Sequence, residues 1–227
     1  MFTVIRGIAI TPFLSSAFSI FVRVLKVGQE QRYIFKKYTL DMLDRRLARN
    51  TDKKDFLSYI LRYNDERGLS KVELRDNAEI LTIAGSETSA TALSGITFNI
   101  LTNPECLQKL QGEIRSRFKS DKEILPTAAM QLPYLKAVIE ESMRIYPPAP
   151  AGLNRKTVET ELIDGVIIPP NTTVYVTAFA ANHCPMNFKN PDKFMPERCT
   201  GVDEYADDDR DAFQPFSHGV RNCIGRG

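Results

Sequence analysis

Apolar residues recur at Tyr33, Ile34, Leu40, Leu43 and Leu47 between lysines and arginines, a near-helical spacing that predicts a helix over 29–49. Phe56, Leu57, Ile60 and Leu61 predict a second over 55–66, with Gly68 as its stop. Ser70-Lys71-Val72-Glu73 has the spacing of a capping box, in which Ser and Glu each satisfy the other's backbone N–H. It opens the longest predicted helix, 71–102. Between Ile80 and Phe98 this helix carries one charge, Glu87, and apolar residues on most sides predict a long buried central helix. Glu87 then needs a partner or a use. Asn103-Pro104 ends this helix and starts another, reaching about Phe118. A further helix runs over 133–146 and is stopped by Pro147-Pro148.

Past Pro150 the pattern changes. Short β-prone runs at 160–162 and 166–168 flank Asp164-Gly165, a hairpin signal. Residues 172–177 form a third strand candidate. Residues 182–211 are rich in Pro, Asp and Asn and read as long irregular chain, and the acidic run 203–211 reads as a solvated loop. The expected fold class is mainly α with a small β region. Residues 7–22 are apolar between Arg6 and Arg23, but 16 residues interrupted by Pro12 and several hydroxyls fall short of the roughly 20 a span needs. No small-residue cleavage site follows, so a buried loop and short helix is the preferred reading.

Composition narrows the picture. Of 227 residues, 43% are hydrophobic and 26% charged, enough for one sizeable core or two small ones. A net charge of +2 argues against a nucleic-acid partner. The four cysteines (Cys106, Cys184, Cys199, Cys223) form no CxxC pair, which disfavours a disulfide framework or a zinc ribbon and fits a reducing compartment. His183, Cys184, Cys199, His218 and Cys223 have no metal-ligand spacing.

Four groups of residues carry candidate chemistry. Cys223 lies in Phe216-Ser217-His218-Gly219-Val220-Arg221-Asn222-Cys223-Ile224-Gly225, where Gly219 and Gly225 keep Cβ atoms away from anything that approaches the sulfur. Ala84-Gly85-Ser86-Glu87-Thr88-Ser89 places a small residue and a hydroxyl four apart on one helical face. Glu141 and Arg144 stand at i and i+3 on the 133–146 helix, with Pro196-Glu197-Arg198 downstream. Arg155 follows Gly152-Leu153-Asn154.

In this order and with these gaps the four groups resemble the cytochrome P450 family of haem-thiolate monooxygenases, over about 29–227. The resemblance implies a partial P450 fold in which 1–28 roofs the substrate pocket, 71–102 is the oxygen-binding helix and 216–225 is the haem-ligand loop. It implies haem b with Cys223 as axial thiolate, Arg221 and Arg155 toward the propionates, Phe216 on the sulfur side of the ring, and Gly219 in the close turn. Ala84 and Gly85 would approach the ring's other face. Thr88 would hydrogen-bond iron-bound dioxygen and Glu87 would relay protons. Glu141, Arg144 and Arg198 would form a buried ion network that holds the irregular chain. Three positions depart from the family: Ser217 stands for the usual Gly, Asn154 for Pro, and Cys199 for an aromatic residue.

The implied activity is insertion of one oxygen atom into a small apolar organic substrate, with electrons from NADPH through a flavoprotein reductase. The parent protein would sit at the endoplasmic reticulum membrane, facing the cytosol, with contact through 7–22 and an upstream anchor. Measured against the family pattern the chain reads as about the second half of a member, so a truncated non-catalytic remnant is the competing expectation. A peroxide-rearranging relative is a third, which Glu87-Thr88 argues against.

Overall fold

A computed structural model of the chain describes residues 29–49, 54–62 and 68–226. The expected pocket roof, 1–28, and the expected end of the second helix, 63–66, lie outside the described residues. The chain divides into two compact units, Met1–Ala84 and Gly85–Gly227.

The first unit holds helix α1 (Gln29–Ala48) and helix α2 (Phe56–Arg62). Asp55 caps α2, accepting the Ser58 N–H at 2.9 Å while Ser58 Oγ accepts the Asp55 N–H at 3.0 Å. Arg46, in the last turn of α1, donates from Nε to the same carboxylate at 2.7 Å and so links the two helices. Thr39, Leu43 and Leu74 are buried, whereas Tyr33 and Ile34 lie exposed.

Helix α3 (Lys71–Thr102) starts at the capping box: Ser70 N donates to Glu73 Oε2 at 2.8 Å, and Glu73 N donates to Ser70 Oγ at 3.3 Å. The unit boundary falls within this helix. The expectation that α3 is buried fails. Ile80 is 63% exposed, Leu93 65% and Phe98 67%. Its apolar residues point all round, but in the second unit the described chain covers one stripe, at Gly95 and Asn99. A Cβ on Gly95 would stand 2.8 Å from the Tyr146 ring, so glycine is what lets that ring close on the helix. Among the described residues no helix is long and apolar enough to cross a membrane.

The second unit is built on helices α4 (Pro104–Arg117), α5 (Pro126–Ala129) and α6 (Pro133–Ile145). Helix α6 packs on α4, on the short helix α7 (Ala178–Asn182) and on a 3₁₀ turn at Pro196–Cys199. Cys106, Leu110, Phe118, Leu132, Ala137, Val138 and Phe188 are buried there. The residue before α6, Leu132, has no side-chain oxygen to cap it. Glu113 of α4 does so instead, its carboxylate accepting the N–H groups of Tyr134 and Leu135 at 2.8 and 2.9 Å.

The β region is small. Strands β2 (Glu161–Ile163) and β3 (Val166–Ile168) form the expected hairpin. Its turn residues Asp164 and Gly165 have φ of 49° and 76°, the left-handed pair that a two-residue hairpin turn demands. The third candidate strand is shorter than expected: β4 (Thr173–Val174) pairs antiparallel with β1 (Arg155–Lys156), and α7 follows at once.

Candidate functional site

The irregular chain 183–215 has few regular partners for its backbone, and buried carbonyls need donors. Two arginines supply them. Arg144, 2% exposed, spends all five of its N–H groups. Nε and Nη2 grip Glu141 at 2.8 and 2.9 Å, Nη1 donates to the carbonyls of Asn182 and Pro191 at 2.6 and 2.7 Å, and Nη2 reaches Lys193 O at 3.3 Å. Arg198, equally buried, lies 3.4 Å from the Glu141 carboxylate, ion-pairs with Asp208, and donates to Lys189 O at 2.9 Å and Asn190 O at 3.4 Å. Its guanidinium also sits 4.7 Å over the Tyr205 ring and 5.8 Å over that of Phe188. Burial works against the Arg198 charge, but the hydrogen bond to Asp208 and the charges of Glu141 and Asp208 outweigh it and raise its pKa. Glu141 is fully buried and also accepts the Met195 N–H at 3.0 Å. The network thus sets two carboxylates against two guanidiniums, the condition under which buried charge is tolerable.

Asp208 overturns one expectation. The acidic run 203–211 is not wholly solvated: Tyr205 and Asp208 are buried, because Arg198 needs a second counter-charge and a ring to lie against. No signal in composition separates Asp208 from its exposed neighbours Asp207 and Asp209.

Downstream of the network the chain turns into the cysteine loop. The Cys223 N–H donates to Phe216 O at 2.8 Å and closes the loop. Within it Gly219–Arg221 forms a 3₁₀ turn. Ser217 and Gly219 have φ of 62° and 79°. The left-handed backbone explains Gly219. It does not explain Gly225, where a Cβ would meet Cys223 Sγ at an ordinary 3.7 Å. Cys223 is the exposed cysteine of the four, Phe216 is half-buried, and Arg221 is exposed.

On α3, Ala84, Gly85, Glu87 and Thr88 are exposed, and a Cβ on Gly85 would meet nothing within 4 Å. Among the described residues neither Glu87 nor Arg221 makes an ion pair. Arg155, exposed on β1, donates to the carbonyl of Asn154 at 3.1 Å. Two surface concavities, one beside Tyr205 and Asp209 and one between α4 and the chain around Met195, include no residue of the 216–225 loop.

A sequence model of cytochrome P450 matches residues 3–227, essentially the whole chain. The chain belongs to the cytochrome P450 family. It is 42% identical over 216 residues to the cytochrome P450 monooxygenase astA of Talaromyces wortmannii, covering 92% of this chain and 44% of that protein. To olcB of Penicillium canescens, also a cytochrome P450 monooxygenase, it is 39% identical over 244 residues, covering 99% of this chain and 49% of that one. To lcsI of Purpureocillium lilacinum the figures are 42% over 199 residues, 87% and 39%. The chain spans less than half the length of each of these P450 relatives.

The P450 cofactor can be tested against the loop's own chemistry. An exposed free thiol, a backbone turn made close by Gly219, and one exposed cation two residues before the sulfur form a donor set for a haem: a soft ligand for iron and a positive charge for a carboxylate. The fit extends to the network, which closes without using any atom of the loop. Of the departures from the P450 pattern, Ser217 occupies a left-handed position that suits glycine, and Cys199 is half-buried. Burial, then the carboxylates of Glu141 and Glu140, push the Cys199 thiol up to about 12, so it stays protonated and is a poor ligand for a metal.

Proposed function

We propose that this chain carries the haem-binding half of a cytochrome P450 monooxygenase, which inserts one oxygen atom of dioxygen into a small apolar organic substrate. The exposed Cys223 at the end of a turn series anchored by a charge-balanced buried network is the observation that carries this reading. Cys223 Sγ would hold the iron, and Arg221, with Arg155 as a second cation, would meet the propionates. Phe216, half-buried at the loop's base, would take the sulfur side of the ring. When bound, haem supplies the redox chemistry on dioxygen that no side chain offers. Gly85 would leave room for a flat ligand beside α3. Thr88 Oγ1 would donate a hydrogen bond toward the reacting oxygen. The Glu87 carboxyl, exposed to water, would take up and pass on protons that the reaction consumes.

Electrons would come from NADPH through a flavoprotein reductase, and the parent protein would work at the cytosolic face of the endoplasmic reticulum membrane. Support for a redox partner lies in the family membership and in the relatives' naming as monooxygenases. The test is a reduced, carbon-monoxide difference spectrum of the haem-reconstituted chain beside Cys223→Ser. A red-shifted Soret band in the parent that vanishes in Cys223→Ser is expected. A band indifferent to that substitution, or none, would leave a non-catalytic remnant as the reading for this chain.

A further inference from the structure

Asp208 is a buried carboxylate to which none of the roles above assigns work toward the cysteine loop. Its side chain is 2% exposed, although it lies in a run of six acids between 203 and 211. One carboxylate oxygen pairs with Arg198 and the other accepts the Lys189 N–H at 2.7 Å. The two residues after it are fixed as well. Asp209 N donates to Asn187 O at 2.7 Å, and the Arg210 guanidinium donates to the carbonyl of Arg198. Three consecutive residues therefore dock onto the network, each by a different group.

From that dock to the cysteine the chain is a series of tight turns that ends in a wider loop, 216–223, closed by its own backbone bond. Ala212 N donates to Asp209 O, Phe213 N to Arg210 O, and Ser217 N to Gln214 O, at 3.2, 3.1 and 3.0 Å. Asn222 N then donates to Gly219 O at 3.1 Å and Cys223 N to Phe216 O at 2.8 Å. A chain of short turns transmits the position of its first residue, because each turn fixes the dihedral angles that a free loop would vary.

We propose that Asp208 is a positioning residue for the Cys223 thiolate: by neutralising Arg198 and docking 208–210, it sets where the turn relay delivers the sulfur. Asp207, next to it and exposed, has no such role. The last step rests on the haem-thiolate reading. The docking itself does not.

The experiment compares the 227-residue chain with Asp208→Asn, Asp208→Glu and Asp207→Asn. Haem-reconstituted samples at equal haem content are read for the fraction of carbon-monoxide complex that is thiolate-ligated. Asp208→Asn should lower that fraction at least two-fold, Asp208→Glu should recover most of it, and Asp207→Asn should match the parent. A loss of folded protein alone would not move a ratio taken per bound haem. An unchanged fraction in Asp208→Asn overturns the proposal.

Native-state amide exchange of the haem-free parent is the second measurement and needs no variant. The amides of Lys189, Asp209 and Cys223 should exchange through one common opening, with the same dependence on added denaturant. Exchange of Cys223 through a smaller opening, with Lys189 and Asp209 still protected, would overturn the relay. If the parent itself gives no thiolate band, the haem reading falls while the exchange data still decide the docking.

Discussion

Position 217 is where this loop is chemically least comfortable. A non-glycine residue at φ 62° brings its Cβ close to the following carbonyl, at a cost of roughly 1–2 kcal/mol. Two residues later, Gly219 takes φ 79° at no such cost. Substituting Ser217→Gly relieves the clash but adds freedom to the unfolded chain, which takes back roughly 0.5–1 kcal/mol. The expected net effect is a gain of about 0.5–1 kcal/mol. Gly219→Ala should lose about 0.5–1 kcal/mol by the same reasoning, the strain less the glycine's unfolded-chain freedom. Chemical denaturation midpoints check the pair, and the opposite signs are the diagnostic. A Ser217→Gly variant no more stable than its parent would mean that the turn does not hold position 217 in that conformation. The loop's identity is legible in the residues themselves, since Phe216, Gly219, Arg221 and Cys223 sit at fixed offsets within one stretch of chain. The strain at Ser217 is not, because φ is set by the turns on either side and not by the serine.

At the level of elements, legibility follows from whether the signal is local. The capping box at Ser70, the Asp164-Gly165 turn and the Pro-initiated starts of α4 and α6 declare themselves within four residues. Strand β1, two residues long, has no period to read and exists because β4 lies beside it. The capping of α6 by Glu113 is invisible for a related reason: the acceptor sits on another helix. The same holds for the contact that pins the 3₁₀ turn Pro196–Cys199 to α4 and α6. There Glu197 Oε1 accepts from Lys109 Nζ at 2.6 Å and from Tyr134 Oη at 3.2 Å. Burial pushes the Glu197 carboxyl up, but the bond from Lys109, its own backbone N–H, the lysine's charge and the Tyr134 hydroxyl together hold it below the ordinary range. A folded-state pKa below the unfolded one means stability that is present above about 4.5, the unfolded value, and is lost as pH falls through the folded pKa. The half-exposed lysine keeps the effect small. The difference in thermal midpoint between the parent and Glu197→Gln should therefore be largest near neutral pH and close as the solution is acidified. A difference that stays constant across that range would show that the carboxylate's charge does not hold these elements together.

On the scale of the whole molecule, two features pull in different directions. The apolar surface of α3 at Leu93, Phe98 and Leu101 is exposed, so hydrophobic burial is incomplete around the helix that contributes Thr88. Hydrophobic period reports which residues are apolar, not what covers them, and the expectation of a buried α3 went wrong on that distinction. In the second unit a larger share of the cohesion then falls on the charge-balanced network. Glu141 is its hinge, touching both arginines and the Met195 N–H. Replacing Glu141 with Gln keeps the shape but leaves two buried guanidiniums facing Asp208 alone. Breaking such a pair by removing one partner costs about 3–5 kcal/mol, against a total domain stability of about 5–15 kcal/mol. Arg144 and Arg198 would then lose their grip on the carbonyls of residues 182–193 together, so the loss should be cooperative. Glu141→Gln is expected to lower the unfolding free energy read from urea titration by that amount and to make Met195 and Lys189 amides exchange at the rate of global unfolding. A loss below about 1 kcal/mol would place the cohesion of this unit in its apolar core instead, since a bond that weak is what an exposed ion pair gives.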